Sequence, residues 1–406
     1  MLSARQDDAQ NRLAYLSDAA ARLWPDSSLA LRRAPAGSQS RDFLLLPNAA
    51  TPRLLVPAGR RRAAAAAVRG YGEQAGRRDR VKNRLLSTAL RTGLAQVLLR
   101  DRVGVTGGGA GLPGHLSDLL GTDVLVSLHL GQPRANRKPV LQLLGTDGRL
   151  LGFAKVGIDE LTRRLVCTEA IALRRLASAE LPGLLTPRVV HAGQWNGDEI
   201  LVQSPLPIQG RRRTNDEHGL SAAMSAVAGL GRVGPAPLVD SDFWSALCAR
   251  VGRLPDGPVA AALTAIVTGL YDGARDDLIG MGSWHGDWTP WNMATLPTGL
   301  AVWDWERFTA GVPVGFDSLH FSLQSDLVVA RRSPSDSVMS IVDSAPARLR
   351  SFGVDDRAST VTALCYLTEI ATRYTEDSQA EFGAHFGRVQ DWLLPVLSAR
   401  VEGLPR

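Results

Sequence analysis

Short apolar-rich runs over residues 124–130, 140–144 and 150–156, bounded by Gly, Pro, Asn and Asp, read as strands. Gly145-Thr146-Asp147-Gly148 joins the second and third as a tight turn, and a longer connection, Gly131 to Pro139, joins the first two. Two further strands are predicted at 189–195 and 199–203, around the turn Asn196-Gly197-Asp198. Between these sets, Leu161, Leu165, Ala172, Leu173 and Leu176 form a helical stripe over residues 159–179. Five strands and one helix therefore make a small sheet-based lobe. Beyond residue 207 the spacing turns helical, at 219–228, 242–251, 258–270 and 272–279, with Pro and Gly between segments, and helices continue over 318–400.

The first 115 residues carry no usable motif and are expected to form a mostly helical extension with one possible hairpin. A short amphipathic helix is predicted at 13–23, and the runs 42–46 and 53–56 flank a turn at Asn48 to Pro52. Residues 60–102 read as helix-forming, interrupted near Gly70 to Gly76. The cluster Arg77-Arg78-Asp79-Arg80 fits a solvated helix face better than an anionic surface. Gly107-Gly108-Gly109 lacks the Gly-Lys-Ser/Thr ending of a nucleotide-binding P-loop and reads as a connector. The expected domains are 1–115, 116–206 and 207–406.

One lysine stands out. Lys155 closes the third strand between apolar neighbours, so its stem is buried and its ammonium needs a partner. Glu169 falls inside the apolar stripe of the following helix, four residues from both Leu165 and Leu173. A carboxylate on a core face is costly unless paired, and Lys155 is its natural partner.

Composition narrows the class. With 45% hydrophobic and 21% charged residues, the 406-residue chain is of ordinary globular type. No apolar run is long enough to span a bilayer, so no stable membrane insertion is expected. No secretory signal is visible at the start, and the cytoplasm is the expected location. Three cysteines, Cys167, Cys248 and Cys365, argue against a disulfide framework or a cysteine-rich zinc site. The net charge of +6 is carried almost wholly by arginine; Lys82, Lys138 and Lys155 are the only lysines. Basic residues are not interleaved with aromatics as nucleic-acid binding would need.

The chemistry concentrates in residues 283–306, S-W-H-G-D-W-T-P-W-N-M-A-T-L-P-T-G-L-A-V-W-D-W-E. Two short apolar runs around Pro297-Thr298-Gly299 predict a hairpin that returns Asp304 beside Asn292. Asn292 and Asp304 offer hard oxygen donors, suited to magnesium. Asp287, just before them, can accept a proton from an incoming hydroxyl. Metal on the phosphates and a carboxylate orienting the nucleophile are what phosphoryl transfer requires.

H-G-D-x-x-x-x-N followed by D-W-E resembles the aminoglycoside phosphotransferase and choline kinase-like family, small-molecule relatives of protein kinases. The resemblance spans residues 124–319 and departs from protein kinases at Gly286, where those have Arg. It implies an α+β, bilobal protein kinase-like fold, with a small antiparallel-sheet N-lobe and a mainly helical C-lobe. It implies Asp287 as catalytic base, Asn292 and Asp304 as magnesium ligands, and His285 as a shaper of the catalytic loop. Lys155 would meet the ATP phosphates, held by Glu169. Gln203 and Leu206 would form the hinge that binds adenine. The connection 131–139 would cover the phosphates, through Arg134, Arg137 and Lys138 rather than through glycines; by its residues alone it reads equally as a long solvated hairpin loop. Asp317, in the matching segment Gly311 to Asp317, would open a helix and brace the catalytic loop. By their residues alone, Tyr366, Glu369, Arg373 and Tyr374 suit an acceptor-facing, a core or a surface role equally.

The function so implied is an ATP- and magnesium-dependent phosphotransferase acting on a hydroxyl of a small molecule: a sugar, aminoglycoside or amino alcohol. The alternative is a catalytically silent, kinase-like nucleotide-binding scaffold, which the glycine-poor phosphate loop favours. The acceptor and the oligomeric state are not legible.

Overall fold

A computed structural model of the chain describes residues 2–33, 41–72, 77–95, 99–131, 134–208, 217–381 and 386–405. The chain divides into two compact units: Met1–Cys167 with Pro187–Gly210, and Thr168–Thr186 with Arg211–Arg406.

The first unit opens with helix α1 (Leu2–Leu23), strands β1 (Ser27–Arg33), β2 (Asp42–Leu46) and β3 (Leu54–Pro57), and helices α2 (Arg61–Gly72) and α3 (Arg77–Thr92). Strand β4 (Asp101–Gly107), helix α4 (Gly111–Leu120) and strands β5 (Leu125–His129), β6 (Val140–Leu144) and β7 (Leu150–Gly157) follow. Helix α5 (Glu160–Ala177) contains the division between the units. Strand β8 (Leu184–Leu185) belongs to the second unit, whereas β9 (Val189–Trp195) and β10 (Asp198–Gln203) belong to the first. Nine strands form one sheet in the order β1-β4-β2-β3-β5-β6-β7-β10-β9, antiparallel throughout.

In the first 115 residues the expected helices form as α1, α2 and α3, and the possible hairpin at 42–46 and 53–56 forms as β2 and β3. Strands β1 and β4 are additional, and all four lie in the same sheet as the strands predicted from residue 124 onward. Phe43, Leu45 and Leu55 face a core built with α1 and α4, while Leu44, Leu46, Leu54 and Val56 face a second core built with α2 and α3. Covered by helices on both faces, β2 and β3 are apolar runs without alternation; β1 and β4 pair with each other across a long stretch of chain, a pairing that no local pattern signals. Residues 60–102 are not helical throughout. Helix α3 ends at Thr92, residues 94–95 are helical again, and Val103 and Val105 of β4 alternate into the α1 core. Gly107 and Gly108, with φ of 80° and 59°, form the expected connector, turning the chain from β4 towards α4. The side chains of Arg77, Arg78, Asp79 and Arg80 lie outside the described residues.

The second unit contains α6 (Glu217–Ala228), β11 (Val233–Pro237), α7 (Asp242–Val251), α8 (Pro258–Ala274) and β12 (Leu278–Trp284). It continues with β13 (Met293–Leu296), β14 (Gly299–Val302), β15 (Thr309–Pro313), α9 (Phe316–Gln324), α10 (Pro334–Leu349), α11 (Asp356–Glu376) and α12 (Leu394–Glu402). Its two small sheets run β11-β12-β15 and β13-β14-β8. The predicted helix at 272–279 is corrected: α8 ends at Ala274, and Ile279 and Met281 pair with β11 as strand. Pairing to neighbours distant in sequence overrode a weak helical spacing.

Helix α11 is the interior element of this unit, buried almost continuously from Ala358 to Arg373. Asp355 caps it, its side chain accepting the Ala358 amide. A helix buried all round must place its polar side chains against partners. Tyr366, Glu369 and Arg373 do so, as described below. A sheet-based unit and a mainly helical unit together give the α+β content the sequence implied.

Candidate active site

Strand β12 ends at Trp284 and delivers residues 285–292 as a loop. The β13–β14 hairpin then folds back in the predicted register, Met293 opposite Val302 and Leu296 opposite Gly299. The Trp303 amide donates to the Asn292 carbonyl at 3.1 Å, so Asp304 lies one residue beyond the pair that closes the hairpin. Asp304 adopts a left-handed backbone, φ 73° and ψ 51°. Asp tolerates that region better than most residues, and such conformations collect at functional sites.

Behind the loop, Trp288 and Trp305 are fully buried and bracket the His285 ring, with centroids 5.8 and 4.4 Å away. The Trp305 indole donates to the Val302 carbonyl at 3.0 Å. The tryptophans of this stretch therefore form the floor that holds the loop.

His285 is a structural part of that floor. Its Nδ1 accepts the Asp287 amide at 3.0 Å, so Nε2 carries the hydrogen and donates to the Trp303 carbonyl at 3.1 Å. Burial pushes the imidazole down to about 4. A neutral ring bonded at both nitrogens ties the loop to the hairpin and carries no proton through the reaction.

Asp317, near the start of α9, braces the same loop. Its carboxylate accepts the amides of His285 at 2.7 Å and Gly286 at 3.3 Å. Burial pushes this carboxyl up to about 7, against the opposing pull of the two amides and Arg373. Gly286 has φ of 84°, and a Cβ there would collide with the Arg307 carbonyl. The loop closes too tightly for the Arg that protein kinases carry. The Arg373 guanidinium completes the brace, donating to the Gly286 carbonyl at 2.8 Å and lying 5.4 Å from the Trp284 ring.

Asp287 is thereby presented with its side chain 37% exposed, open to an incoming group. Both oxygens are held. Oδ1 lies 3.2 Å from His320 Nε2, and Oδ2 accepts from the Asn292 side-chain amide at 3.0 Å. Desolvation raises this carboxyl, but the hydrogen bond from His320 and the charge of Arg373 pull it down, and the group sits below its ordinary value. An ionised, oriented, accessible carboxylate is a competent acceptor for a hydroxyl proton.

The Asn292 amide nitrogen faces Asp287, which leaves its oxygen to a cation. Glu169, Asp304 and Glu306 each offer a carboxylate oxygen, all within 4.8 Å of one another. Glu169 and Glu306 are buried. This all-oxygen donor set fits a hard divalent cation such as magnesium.

The remaining predicted residues lie in the first unit. Lys155 is buried on β7, opposite Val140 and Leu201, on the sheet face away from Ala154 and Val156. Gln203 is buried at the end of β10, and Leu206 is half-buried in the loop beyond it. Arg134 is exposed; Lys138 is buried, with Nζ 3.4 Å from the Asn136 carbonyl. The same connection is tied to α1 by Arg137, whose guanidinium lies 4.1 Å from the Tyr15 ring centroid.

Of the four C-terminal residues left open, three take core roles. Tyr366 is fully buried against His320, Arg373 holds the loop, and Glu369 pairs with Arg250 at 2.6 Å. Tyr374 is half-buried, near the Gln324 side chain at 3.4 Å.

Two site residues escaped the sequence reading. Glu306 stands inside the quoted D-W-E but had no role. His320 follows Asp317 by three residues, hence on one helix face, a spacing that would have drawn attention to it.

No protein-family model matches the chain, and no curated protein matches it in sequence. Among solved structures it is similar to a thermostable mutant of aminoglycoside phosphotransferase APH(4)-Ia in ternary complex with ADP and hygromycin B. The identity is 15%, covering 73% of this chain and 99% of that one, with a TM-score of 0.47. It is also similar to aminoglycoside phosphotransferase APH(3'')-Id from Streptomyces rimosus, in complex with ADP and streptomycin. That match has 16% identity, 57% and 89% coverage and a TM-score of 0.38. Amicoumacin kinase hAmiN, in complex with AMP-PNP, Ca2+ and Ami, matches at 12% identity, 66% and 85% coverage and a TM-score of 0.39. Among the described residues no helix is long and apolar enough to cross a membrane.

Proposed function

We propose that the protein is an ATP- and magnesium-dependent phosphotransferase acting on a hydroxyl of a small molecule. The observation that carries this reading is the placement of Asp287: held at both oxygens, half-buried with its side chain 37% exposed, and followed in the chain by a hairpin that presents hard oxygen donors. In this reading Asp287 orients the acceptor hydroxyl and takes its proton. Asn292 and Asp304, joined by Glu306, would hold magnesium, which supplies charge neutralisation on the phosphates. Lys155 would meet the phosphates with Glu169 as its partner, Gln203 and Leu206 would receive the adenine, and Arg134 and Lys138 would approach the phosphates from the 131–139 connection. Most of the acceleration would come from positioning and preorganised charge.

The test is direct. Purified protein is incubated with ATP, magnesium and a panel of sugars, aminoglycosides and amino alcohols, and phosphoryl transfer is followed by mass. Asp287→Asn should lower turnover on any accepted substrate by at least about 100-fold, the lower range for a general base. Unchanged turnover in that variant would remove the assigned role. Nucleotide binding with neither hydrolysis nor transfer would favour the silent scaffold.

A further inference from the structure

His320 is fully buried and is not part of the metal-binding set proposed above. Its two nitrogens have different partners. Nε2 lies 3.2 Å from Asp287 Oδ1, and Nδ1 lies 3.0 Å from the Tyr366 hydroxyl. An ionised carboxylate can only accept, so Nε2 carries the hydrogen and donates. In the neutral ring Nδ1 then accepts, and the Tyr366 hydroxyl donates to it. Burial favours both assignments, lowering the imidazole and raising the phenol well above its ordinary value.

The ring sits in an aromatic box. Trp284 meets His320 edge-on at 6.3 Å and Tyr366 at 6.4 Å, and Phe316 meets Trp284 at 5.2 Å and Tyr366 at 5.6 Å. A phenylalanine would fill the position of Tyr366 in such a box equally well, so the hydroxyl is there for its hydrogen bond. The order is Tyr366 O–H to His320, then His320 N–H to Asp287.

We propose that His320, locked by Tyr366, is a positioning residue for transfer: with Asn292 on the other oxygen, it fixes the rotation of the Asp287 carboxylate. This rests on the phosphotransferase reading. In the step itself the acceptor oxygen forms its bond to the γ-phosphorus as the bond from that phosphorus to the β–γ bridging oxygen breaks. The electron pair leaves with ADP, and the acceptor proton goes to Asp287. His320 takes no proton; it keeps one carboxylate lone pair aimed at the hydroxyl. A carboxylate free to rotate would spend most of its time misaligned, a loss felt in kcat and not in nucleotide affinity.

The experiment uses the full chain. His320→Leu should lower kcat about 10- to 100-fold, with the KM for ATP changed less than about 3-fold. His320→Gln, which restores an N–H donor, should recover most of that loss. Tyr366→Phe should lower kcat by a smaller factor, about 3- to 10-fold. Two-bond proton–nitrogen NMR of the imidazoles, with the His320 signals assigned by their loss in His320→Gln, should show a protonated Nε2 and a bare Nδ1. Those signals should shift in Asp287→Ala and in Tyr366→Phe.

Wild-type kcat in His320→Leu, or equal losses in folded Leu and Gln variants, would overturn the proposal. If His320→Leu fails to fold, Tyr366→Phe and the NMR signature decide; a kcat unchanged by Tyr366→Phe, or an Nδ1–H tautomer, would sink it. A wild-type protein that transfers phosphate to nothing would remove the phosphotransferase reading and this role with it. An active wild type indifferent to His320 would remove this role alone.

Discussion

The Asn292 side-chain amide donates to the Asp287 carboxylate and to the Asp287 carbonyl, at 3.0 Å each. The asparagine so placed turns its nitrogen to the base and its oxygen to the hairpin side. Replacement by aspartate would put two carboxylates in contact, and like charges raise one another's affinity for protons. Asn292→Asp should therefore lose about 100-fold or more in kcat at neutral pH. Initial rates at saturating ATP and magnesium measure this. Turnover within a factor of three of wild type would show that the amide nitrogen is dispensable.

The brace from Asp317 carries a stability consequence. Asp317→Ala leaves the buried amides of His285 and Gly286 without their acceptor. An orphaned buried donor costs about 1–3 kcal/mol, and the variant should lose a few kcal/mol in urea unfolding. Its activity should fall further than global unfolding explains, because the loop that presents Asp287 loosens.

His285 sets a pH dependence whose sign follows from its two hydrogen bonds. The ring titrates near 6.5 when unfolded and near about 4 when folded, lowered by burial. Between those values the unfolded chain binds more protons, so this contribution is present above pH 6.5 and is lost as pH falls towards 4. Its full size is about 3 kcal/mol. Asp317, raised by burial to about 7, works in the opposite direction, contributing below its unfolded value near 3.8 and fading as pH rises through about 7. The comparison that isolates His285 is wild type against His285→Asn, which keeps a neutral side chain. The stability difference between them should shrink by about 3 kcal/mol from pH 7 to pH 4. A constant difference across that range would mean the histidine is not held neutral.

Gly286 should tolerate no side chain. At φ 84° an L residue is strained by about 1–2 kcal/mol before the collision with the Arg307 carbonyl is counted. Gly286→Ala should unfold at lower urea and lose activity, and Gly286→Arg should do so more severely. A Gly286→Ala variant as stable as wild type would show that the loop can open there at little cost.

The acidic group beside the hairpin makes a ligand-based prediction. Glu306→Gln removes one of three carboxylates whose oxygens lie within 4.8 Å of one another. Affinity for magnesium or manganese, measured by calorimetry with the nucleotide analogue present, should fall at least about 10-fold, as removal of a tuned ligand-shell group does. Manganese binding undiminished in Glu306→Gln would exclude that residue from the site.

What the sequence decided by itself was local and periodic. The hairpin at 293–302 was readable because Pro297-Thr298-Gly299 separates two short, mostly buried runs, so turn and register follow from neighbours in the chain. That register alone returns Asp304 to Asn292, which is why this part of the site was legible before any coordinates. The strands at 140–144 and 150–157 were legible for the same reason. The tertiary structure decided whatever depends on partners far apart in sequence. The β2–β3 hairpin was legible, but β1 and β4 pair with each other across a long stretch of intervening chain, so the nine-stranded sheet stayed hidden. Residues 278–284 became strand because β11 and β15 pair with them. His320 and Tyr366, 46 positions apart, meet only because α9 and α11 pack together. A hydrogen bond across such a distance leaves no periodic trace, since neither residue's own neighbours reveal what will face it in the fold.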